Sequence, residues 1–275
     1  MTVHTLKLGH HNFQVTDEGV GEPVLLLHGF PDSARLWRHQ IPALVAAGFR
    51  VIAPDQRGFG ESDKPEAVEA YALREVIGDA IALLDTLGLE RVRLVSHDWG
   101  AAVGWGLCAF YPHRIVRHVA LSVGHLTALW NAGIAQRRLA WYMLLFMRRG
   151  LAEDILIREN WQWFRDLFEH HSEMERWIGD LQRPGALTAA LNWYRANVDV
   201  ETWGPQGWVL PRVPVPTLGV WSTRDAYLTE VQMVASAGFV DAPWEYRRVE
   251  GASHWLMLDQ PAVVSRILID YLKQE

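Results

Sequence analysis

The chain of 275 residues contains a single cysteine, Cys108. One thiol can form neither an internal disulfide framework nor a cysteine-based zinc knuckle. An excess of positive charge is also missing, because a formal net charge of −6 argues against a nucleic-acid binder. No apolar run approaches the roughly 18 residues that a membrane span needs, and residues 1–17 lack the pattern of a signal peptide. We therefore expect a cytoplasmic protein with neither a nucleic-acid nor a membrane partner.

Short apolar runs alternate with amphipathic stretches along most of the chain, which is 49% hydrophobic and 21% charged. Nearly continuous apolar runs are typical of buried strands; they cover residues 23–27, 50–53, 91–95, 115–123, 217–221 and 244–249. Helical spacing covers residues 34–47, 71–87, 99–111, 227–236 and 262–273. This alternation predicts a mostly parallel sheet flanked by helices, with residues 3–16 forming an antiparallel hairpin at its edge.

The segment from about residue 125 to residue 212 breaks this alternation. It has no convincing strand, and it holds eight of the fourteen tryptophans. Residues 137–147 and 155–168 are apolar around much of a helical circumference, which suits a small helical unit packed against the sheet. The sequence therefore predicts an α/β core, residues 1–124 and 213–275, with an inserted helical cap formed by residues 125–212.

The densest chemical signal is the run from Ser96 to Gly100, in which a predicted strand enters a tight turn and then a helix. A strained nucleophile turn needs small residues two positions before and after the nucleophile, because the backbone crosses itself there. Only Asp98 has such neighbours, since Ser96 would be flanked by Leu94 and Asp98. The pattern favours a carboxylate nucleophile and argues against a serine esterase. The alternative is that Asp98 caps the following helix.

Two further candidates follow predicted strands near the carboxyl end of the chain. Asp225 lies a few residues beyond one strand, and His254 lies in a run of small residues beyond the next. The order nucleophile, acid, histidine along the chain is one that enzymes with such a nucleophile turn use. Asp225 could instead form an ordinary salt bridge with Arg224 or Arg247.

These motifs resemble the group of α/β-hydrolases that contains epoxide hydrolases and haloalkane dehalogenases, over essentially the full length of the chain. The resembling stretches are HGFPDSARLWRHQIPAL, APDQRGFGESDKP, SHDWGAAVGW, WSTRD and EGASHW. The resemblance implies an α/β-hydrolase fold with an inserted helical cap, and a nucleophile, acid and histidine in the order Asp98, Asp225 and His254. It also implies that the backbone N–H groups of Phe30 and Trp99 form an oxyanion hole.

The predicted cap carries the motifs that distinguish epoxide hydrolases from other members of this group. The run Asn192-Trp-Tyr-Arg195 resembles the epoxide hydrolase motif whose tyrosine points into the site, which makes Tyr194 a candidate acid. Tyr142 resembles the second such tyrosine. The following sequence departs from the family pattern, because Met147-Arg-Arg-Gly150 replaces a common Gln-Glu-Pro-Gly, and Tyr227 or Tyr111 could take that role instead.

The resemblance implies an epoxide hydrolase that converts an apolar epoxide to a vicinal diol through an ester on Asp98. Water and the substrate are the implied partners, and no metal or cofactor is required. The implied substrate pocket contains Phe30, Pro31, Trp37 and Trp99. One alternative is a haloalkane dehalogenase with the same three catalytic residues, although Phe30 stands where that family often has a halide-binding Asn. An alternative of another class is a non-catalytic protein that binds a ligand on this fold.

Overall fold

The computed structural model describes residues 2–199 and 209–274 of the chain. These residues form one sheet of eight strands, which are β1 Val3–Leu8, β2 His11–Glu18, β3 Glu22–Leu27, β4 Phe49–Pro54, β5 Val92–His97, β6 Ile115–Leu121, β7 Thr217–Ser222 and β8 Trp244–Val249. The spatial order is β1-β2-β4-β3-β5-β6-β7-β8. The two pairs β1–β2 and β2–β4 are antiparallel, and every other neighbouring pair is parallel. The predicted edge hairpin and parallel sheet are confirmed.

Twelve α-helices connect and flank these strands in the described residues. They are α1 Gln40–Ala46, α2 Leu73–Thr86, α3 Trp99–Phe110, α4 Leu126–Trp130, α5 Gly133–Leu139, α6 Tyr142–Phe146, α7 Leu151–Leu167, α8 Met174–Leu181, α9 Ala186–Asn197, α10 Glu230–Ala235, α11 Leu256–Asp259 and α12 Pro261–Leu272. The crossover containing α1 moves from β3 to β4, whereas the crossover containing α3 moves the opposite way, from β5 to β6. Right-handed crossovers therefore place α1 and α3 on opposite faces of the sheet.

The core lies where these helices cover the central strands. Residues 24–27 of β3 and the nearly continuous apolar run of β5 are almost completely buried. Strands that are covered on both faces need no alternation of polar and apolar residues. The predicted strand positions agree with the structure to within a few residues.

Several predicted helices are shorter or more divided than their apolar spacing suggests. The stretch 34–47 contains a 3₁₀ turn, Ala34–Trp37, followed by α1. The stretch 227–236 becomes helical only at Glu230, because the backbone N–H groups of Tyr227 and Leu228 bind the Asp225 carboxylate. Apolar spacing alone carries no information about that side chain, so it placed the helix start too early.

Between β6 and β7 the chain forms α4 to α9, which we call the helical insert. The predicted helix 137–147 is divided into α5 and α6, and α7 contains non-helical backbone at residues 158–161. The division of the chain at residues 124 and 212 stays a prediction, because residues 200–208 of the predicted cap lie outside the described residues. In the described ranges, no helix is long and apolar enough to cross a membrane.

Candidate active site

Asp98 lies in the turn between β5 and α3, at the carboxyl edge of the sheet. Its backbone has φ 53° and ψ −124°, a conformation that residues other than glycine rarely adopt. The side chain makes no N-cap hydrogen bond to α3. Its Oδ1 instead accepts a hydrogen bond of 2.7 Å from the backbone N–H of Phe30, in the loop after β3. The helix-cap alternative therefore does not describe this residue.

Two glycines let the loop after β3 approach this turn closely. A Cβ on Gly29 would lie 2.2 Å from Oδ1 of Asp98, and a Cβ on Gly100 would lie 2.3 Å from the carbonyl oxygen of Leu27. Either contact is impossible for a side chain, so glycine is required at both positions. The small residue that the sequence pattern demands two positions after the nucleophile is thus explained by a close backbone crossing.

His254 lies between Asp98 and a second carboxylate. Its Nδ1 donates a hydrogen bond of 2.9 Å to Oδ2 of Asp225, and its Nε2 lies 3.5 Å from Oδ2 of Asp98. Oδ1 of Asp225 accepts the N–H groups of Tyr227 and Leu228 at 2.9 and 3.0 Å. Asp225 therefore pairs with His254, not with Arg224 or Arg247. This hydrogen bond fixes the ring so that Nε2 faces Asp98.

The charges at these three residues depend on one another. Burial alone would raise the pKa of Asp98, but the hydrogen bond and charge of His254 bring it below the usual range. Burial would lower the pKa of His254, whereas the carboxylates of Asp225 and Asp98 raise it to about 10. At neutral pH Asp98 is therefore ionised and lies beside the imidazolium of His254.

The loop that carries His254 is held by two buried groups that the sequence motifs did not single out. The carbonyl oxygen of His254 accepts hydrogen bonds from Nε2 of His97 at 3.0 Å and from the hydroxyl of Ser122 at 3.1 Å. Burial and the nearby His254 charge lower the pKa of His97 to about 3, so this ring is neutral. The only available signal was that His97 directly precedes the proposed nucleophile.

Two tyrosines of the helical insert face Asp98. Tyr142 begins α6, Tyr194 lies in α9, and their rings are 6.1 Å apart between centroids. Both line the same cavity as Asp98 and His254. Burial and the charge of Asp98 raise the pKa of both phenols, which therefore stay protonated.

The two alternative tyrosines are placed differently. Tyr227 also lines the cavity, but its hydroxyl donates a hydrogen bond of 2.8 Å to the carbonyl oxygen of Leu167. Tyr111 follows α3 and is absent from the cavity lining. Tyr142 and Tyr194 are thus the two tyrosines of the helical insert that line the cavity, whereas Tyr227, whose ring lies 5.8 Å from that of Tyr142, has its hydroxyl engaged by Leu167.

The cavity beside Asp98 has an almost entirely apolar lining. A predominantly apolar lining with a few polar groups is typical of small-molecule sites. Of the four residues predicted for the substrate pocket, only Trp99 lines it. Phe30, Pro31 and Trp37 do not: Trp37 is fully buried in the core, and the Phe30 ring packs among other aromatic rings. The sequence motif identified the loop that contains Phe30, but it could not predict where the side chain of Phe30 points.

A buried ion pair joins the loop after β3 to the helical insert. Both carboxylate oxygens of Asp32 accept hydrogen bonds from Arg176 of α8, at 2.8 and 2.7 Å, and Oδ2 also accepts the indole N–H of Trp177 at 2.9 Å. Burial would raise the pKa of Asp32, but the hydrogen bonds and charge of Arg176 hold it below its usual value. Asp32 follows Phe30 by two residues, so this contact ties the loop after β3 to the insert.

Comparison with known proteins agrees with this architecture. Residues 22–261 match the family model of the α/β-hydrolase fold. The chain is 32% identical to Epoxide hydrolase A of Mycobacterium tuberculosis, with 92% of each protein covered, and 30% identical to Epoxide hydrolase 2 of Siraitia grosvenorii, with 98% of each covered. A solved structure of an epoxide hydrolase from metagenomes of hot environments superimposes with a TM-score of 0.89, at 31% identity, over 100% of this chain and 99% of the other. The chain therefore belongs to the α/β-hydrolase fold family, in its epoxide hydrolase branch.

Proposed function

We propose that this protein hydrolyses apolar epoxides to vicinal diols, with Asp98 as the nucleophile. The observation that carries the proposal is the pair of protonated phenols, Tyr142 and Tyr194, that shares one apolar cavity with the ionised Asp98. An epoxide needs both a nucleophile at carbon and an acid at oxygen, and these three residues offer both. The named epoxide hydrolases among its relatives support the same reaction.

The first step forms an ester on Asp98. Oδ1 is held by the N–H of Phe30, so Oδ2 attacks one ring carbon while the carbon–oxygen bond of the epoxide breaks. Tyr142 or Tyr194 donates its proton to the departing oxygen, which becomes a hydroxyl group. General-acid assistance of this kind contributes about 10²–10⁴-fold. The product is a hydroxyalkyl ester and a tyrosinate.

Ester formation removes the Asp98 charge, one of the two that raise the pKa of His254. The imidazolium can then give up its proton, which restores the tyrosine and leaves His254 as a neutral base. Asp225 keeps the ring oriented throughout, through the 2.9 Å hydrogen bond to Nδ1. The interaction between Asp98 and His254 thus favours an ionised Asp98 before the first step and a neutral His254 after it.

The second step hydrolyses the ester. His254 takes a proton from water as the water oxygen attacks Cγ of Asp98, and the N–H groups of Phe30 and Trp99 stabilise the oxyanion. Each such donor is typically worth about 3 kcal/mol. The alkoxide takes the proton of the His254 imidazolium as it leaves. The carboxyl group of Asp98 then transfers its proton to His254. The sum is one epoxide and one water converted to one diol.

The dehalogenase alternative is less well supported by the same geometry. A halide leaves without a proton and gains little from two phenols, and Phe30 has no polar side-chain atom to bind it. A purely ligand-binding protein would not need the arrangement of Asp98, His254 and Asp225. The residues that line the cavity favour neither the dehalogenase nor the ligand-binding protein.

The deciding experiment is a substrate panel of styrene oxide, an alkyl bromide and a p-nitrophenyl ester, measured as diol, bromide and phenolate. We expect diol alone. With His254→Gln, mass spectrometry should show styrene oxide attached to the peptide that contains Asp98, because the ester forms but is not hydrolysed. Bromide release without diol would favour the dehalogenase, and absence of the adduct despite substrate binding would contradict the ester mechanism.

A further inference from the structure

Ser253, the residue before His254, is fixed by two neighbouring side chains. Its backbone N–H and its hydroxyl donate hydrogen bonds of 2.7 and 2.6 Å to Oδ2 of Asp259, in α11. Its carbonyl oxygen accepts a hydrogen bond of 2.7 Å from the hydroxyl of Ser222, at the end of β7. Both polar backbone groups of Ser253 therefore have partners, and Asp259 helps to determine where the His254 side chain begins.

Asp259 also contacts the helical insert. Its other oxygen, Oδ1, lies 3.2 Å from Nε2 of His171, in the connection between α7 and α8. Nδ1 of this ring accepts the backbone N–H of Glu173 at 3.2 Å, so Nε2 carries the proton and donates the hydrogen bond to Asp259. Burial would raise the pKa of Asp259, but the hydrogen bonds from His171 and Ser253 hold it below its usual value. One ionised carboxylate thus joins the insert to the loop of His254.

Aromatic rings hold His171 in this position. Its imidazole is stacked on the ring of Trp177, 4.8 Å away and inclined by 21°, and lies 5.1 Å from the ring of Trp255. The Trp255 ring is in turn 5.1 Å from the imidazole of His254. Although His171 lies between two helices, only 8% of its side chain is exposed. The donor that meets Asp259 is therefore fixed by the packing of the insert.

We propose that Asp259 and His171 are positioning residues for ester hydrolysis, through which the insert holds the base in place; this inference rests on the proposed function. In ester formation, His254 faces Asp98 only as a charge. In ester hydrolysis it must take a proton from a water molecule placed against the ester, which requires hydrogen-bond distances. A misplacement of about 1 Å can cost about 100-fold in such a step. Loss of this support should therefore slow the second step and spare the first.

Asp259→Ala removes the acceptor that fixes Ser253. In rapid-mixing experiments with styrene oxide, we expect ester hydrolysis to slow by at least about tenfold and ester formation to change by less than about threefold. The ester should then accumulate on the peptide that contains Asp98, measured by mass spectrometry of quenched samples. A loss of folded protein would reduce the amount of ester without altering the ratio of the two rate constants, so this ratio distinguishes positioning from general stability. Equal slowing of both steps, or of neither, would overturn the inference.

Two variants of His171 separate its hydrogen bond from its packing. His171→Phe keeps a flat ring beside Trp177 and Trp255 but has no donor for Asp259, whereas His171→Gln keeps an N–H donor and loses the ring. We expect His171→Phe to slow ester hydrolysis by at least about threefold and His171→Gln to restore most of the rate. No effect of His171→Phe, or equal slowing by both variants, would contradict a role for this hydrogen bond.

Two matched controls test whether the effect is specific to these residues. His170→Gln changes the residue next to His171, whose side chain is 60% exposed and pairs with Asp166 instead of Asp259. Asp241→Ala removes an exposed carboxylate that pairs with Arg212. Both variants should leave the rates of the two steps unchanged.

The outcomes separate the two proposals. If the unaltered protein makes no diol while releasing bromide or phenolate from the panel above, the proposed function fails. If it makes diol through an ester on Asp98 and Asp259→Ala leaves the ratio of rate constants unchanged, only the inference about positioning fails. Circular dichroism should confirm that each variant is folded. If Asp259→Ala is not, Asp259→Asn keeps an oxygen for Ser253 but turns an N–H toward His171, and an unchanged ratio in that variant would overturn the inference.

Discussion

The sheet core and the helical insert hold their reactive groups by different means. In the core, Asp98 is charged, and backbone N–H groups in the loops after the strands bind the side-chain oxygens of Asp98 and Asp225. In the insert, Tyr142 and Tyr194 are neutral, and aromatic rings surround them. A buried charge needs fixed dipoles to remain ionised, whereas a phenol that must keep its proton is served by apolar surroundings. Each region thus supplies the environment that its own groups require.

The largest effect should come from the core. Asp98→Ala removes the proposed nucleophile, so we expect kcat for styrene oxide to fall by at least about 10⁵-fold. Asp241→Ala, an exposed carboxylate paired with Arg212, serves as the control and should retain full activity. Substantial diol production by Asp98→Ala, measured by chromatography, would mean that water opens the ring directly.

The tyrosines of the insert should rank next. Because one phenol can partly replace the other, Tyr142→Phe and Tyr194→Phe should each lose less than the double variant. The double variant should lose about 10²–10⁴-fold in kcat. Tyr227→Phe is a matched control, since its hydroxyl is engaged by Leu167, and it should change kcat far less. Near-normal activity in the double variant would assign the acid to other residues.

The contact between the two regions should matter for stability. Asp32→Asn leaves Arg176 without its buried carboxylate, and breaking such a pair costs about 3–5 kcal/mol. We expect about 3 kcal/mol in the free energy of unfolding from urea titration, because Arg176 also contacts Glu173. The folded-state pKa of Asp32 is lowered, so this contribution is present above the ordinary pKa and lost as pH falls through the lowered value.

The control for this stability measurement is Asp241→Asn, whose pair with Arg212 is exposed. Exposed pairs contribute at most about 1 kcal/mol. If Asp32→Asn costs no more than this control, the buried pair does not stabilise the junction between core and insert.

A smaller expected effect is a difference in pH dependence between ester formation and ester hydrolysis. Ester formation needs ionised Asp98, whose pKa is lowered, so its rate should be flat across neutral pH. Ester hydrolysis needs neutral His254. The rate of ester hydrolysis should therefore rise by up to tenfold per pH unit, until the pH exceeds the pKa that His254 has while Asp98 carries the ester. We expect this pKa to lie below the value of about 10 in the free protein, because the Asp98 charge is gone. Stopped-flow tryptophan fluorescence can follow both steps; equal pH dependence of both would contradict the division of roles.

The sequence predicted the core more fully than the insert, for a physical reason. Parallel strands covered on both faces leave continuous apolar runs, and the nucleophile turn imposes glycine at position 100 through backbone contact alone. The apolar runs are local in sequence, and the contact of Gly100 with the distant Leu27 carbonyl still leaves a local mark, a glycine two residues after Asp98. The motif therefore identified Asp98, and the following strand ends identified Asp225 and His254 as candidates whose side chains the structure places together.

The pocket could not be predicted in the same way, because it depends on contacts between distant segments. Phe30 and Trp99 were predicted together as pocket residues, but only the Trp99 ring faces the cavity, while Phe30 packs against Phe146 and Phe168. The partners of Asp32 and His97 lie 144 and 157 residues away. No local pattern encodes such pairings.

The junctions of the helical insert have a consequence for how such proteins can change over evolution. The chain leaves the sheet at the end of β6 and returns in β7, and these strands are hydrogen-bonded neighbours, with Leu121 opposite Val220. Because the two strands are parallel, any connection must return from the carboxyl end of β6 to the amino end of β7, which takes about a dozen residues or more. A different crossover of at least that length can therefore be exchanged by recombination without rerouting the strands that carry Asp98, Asp225 and His254. The proposed acids, Tyr142 and Tyr194, and the shape of the pocket can be replaced as one genetic unit while the proposed nucleophile and base are inherited unchanged.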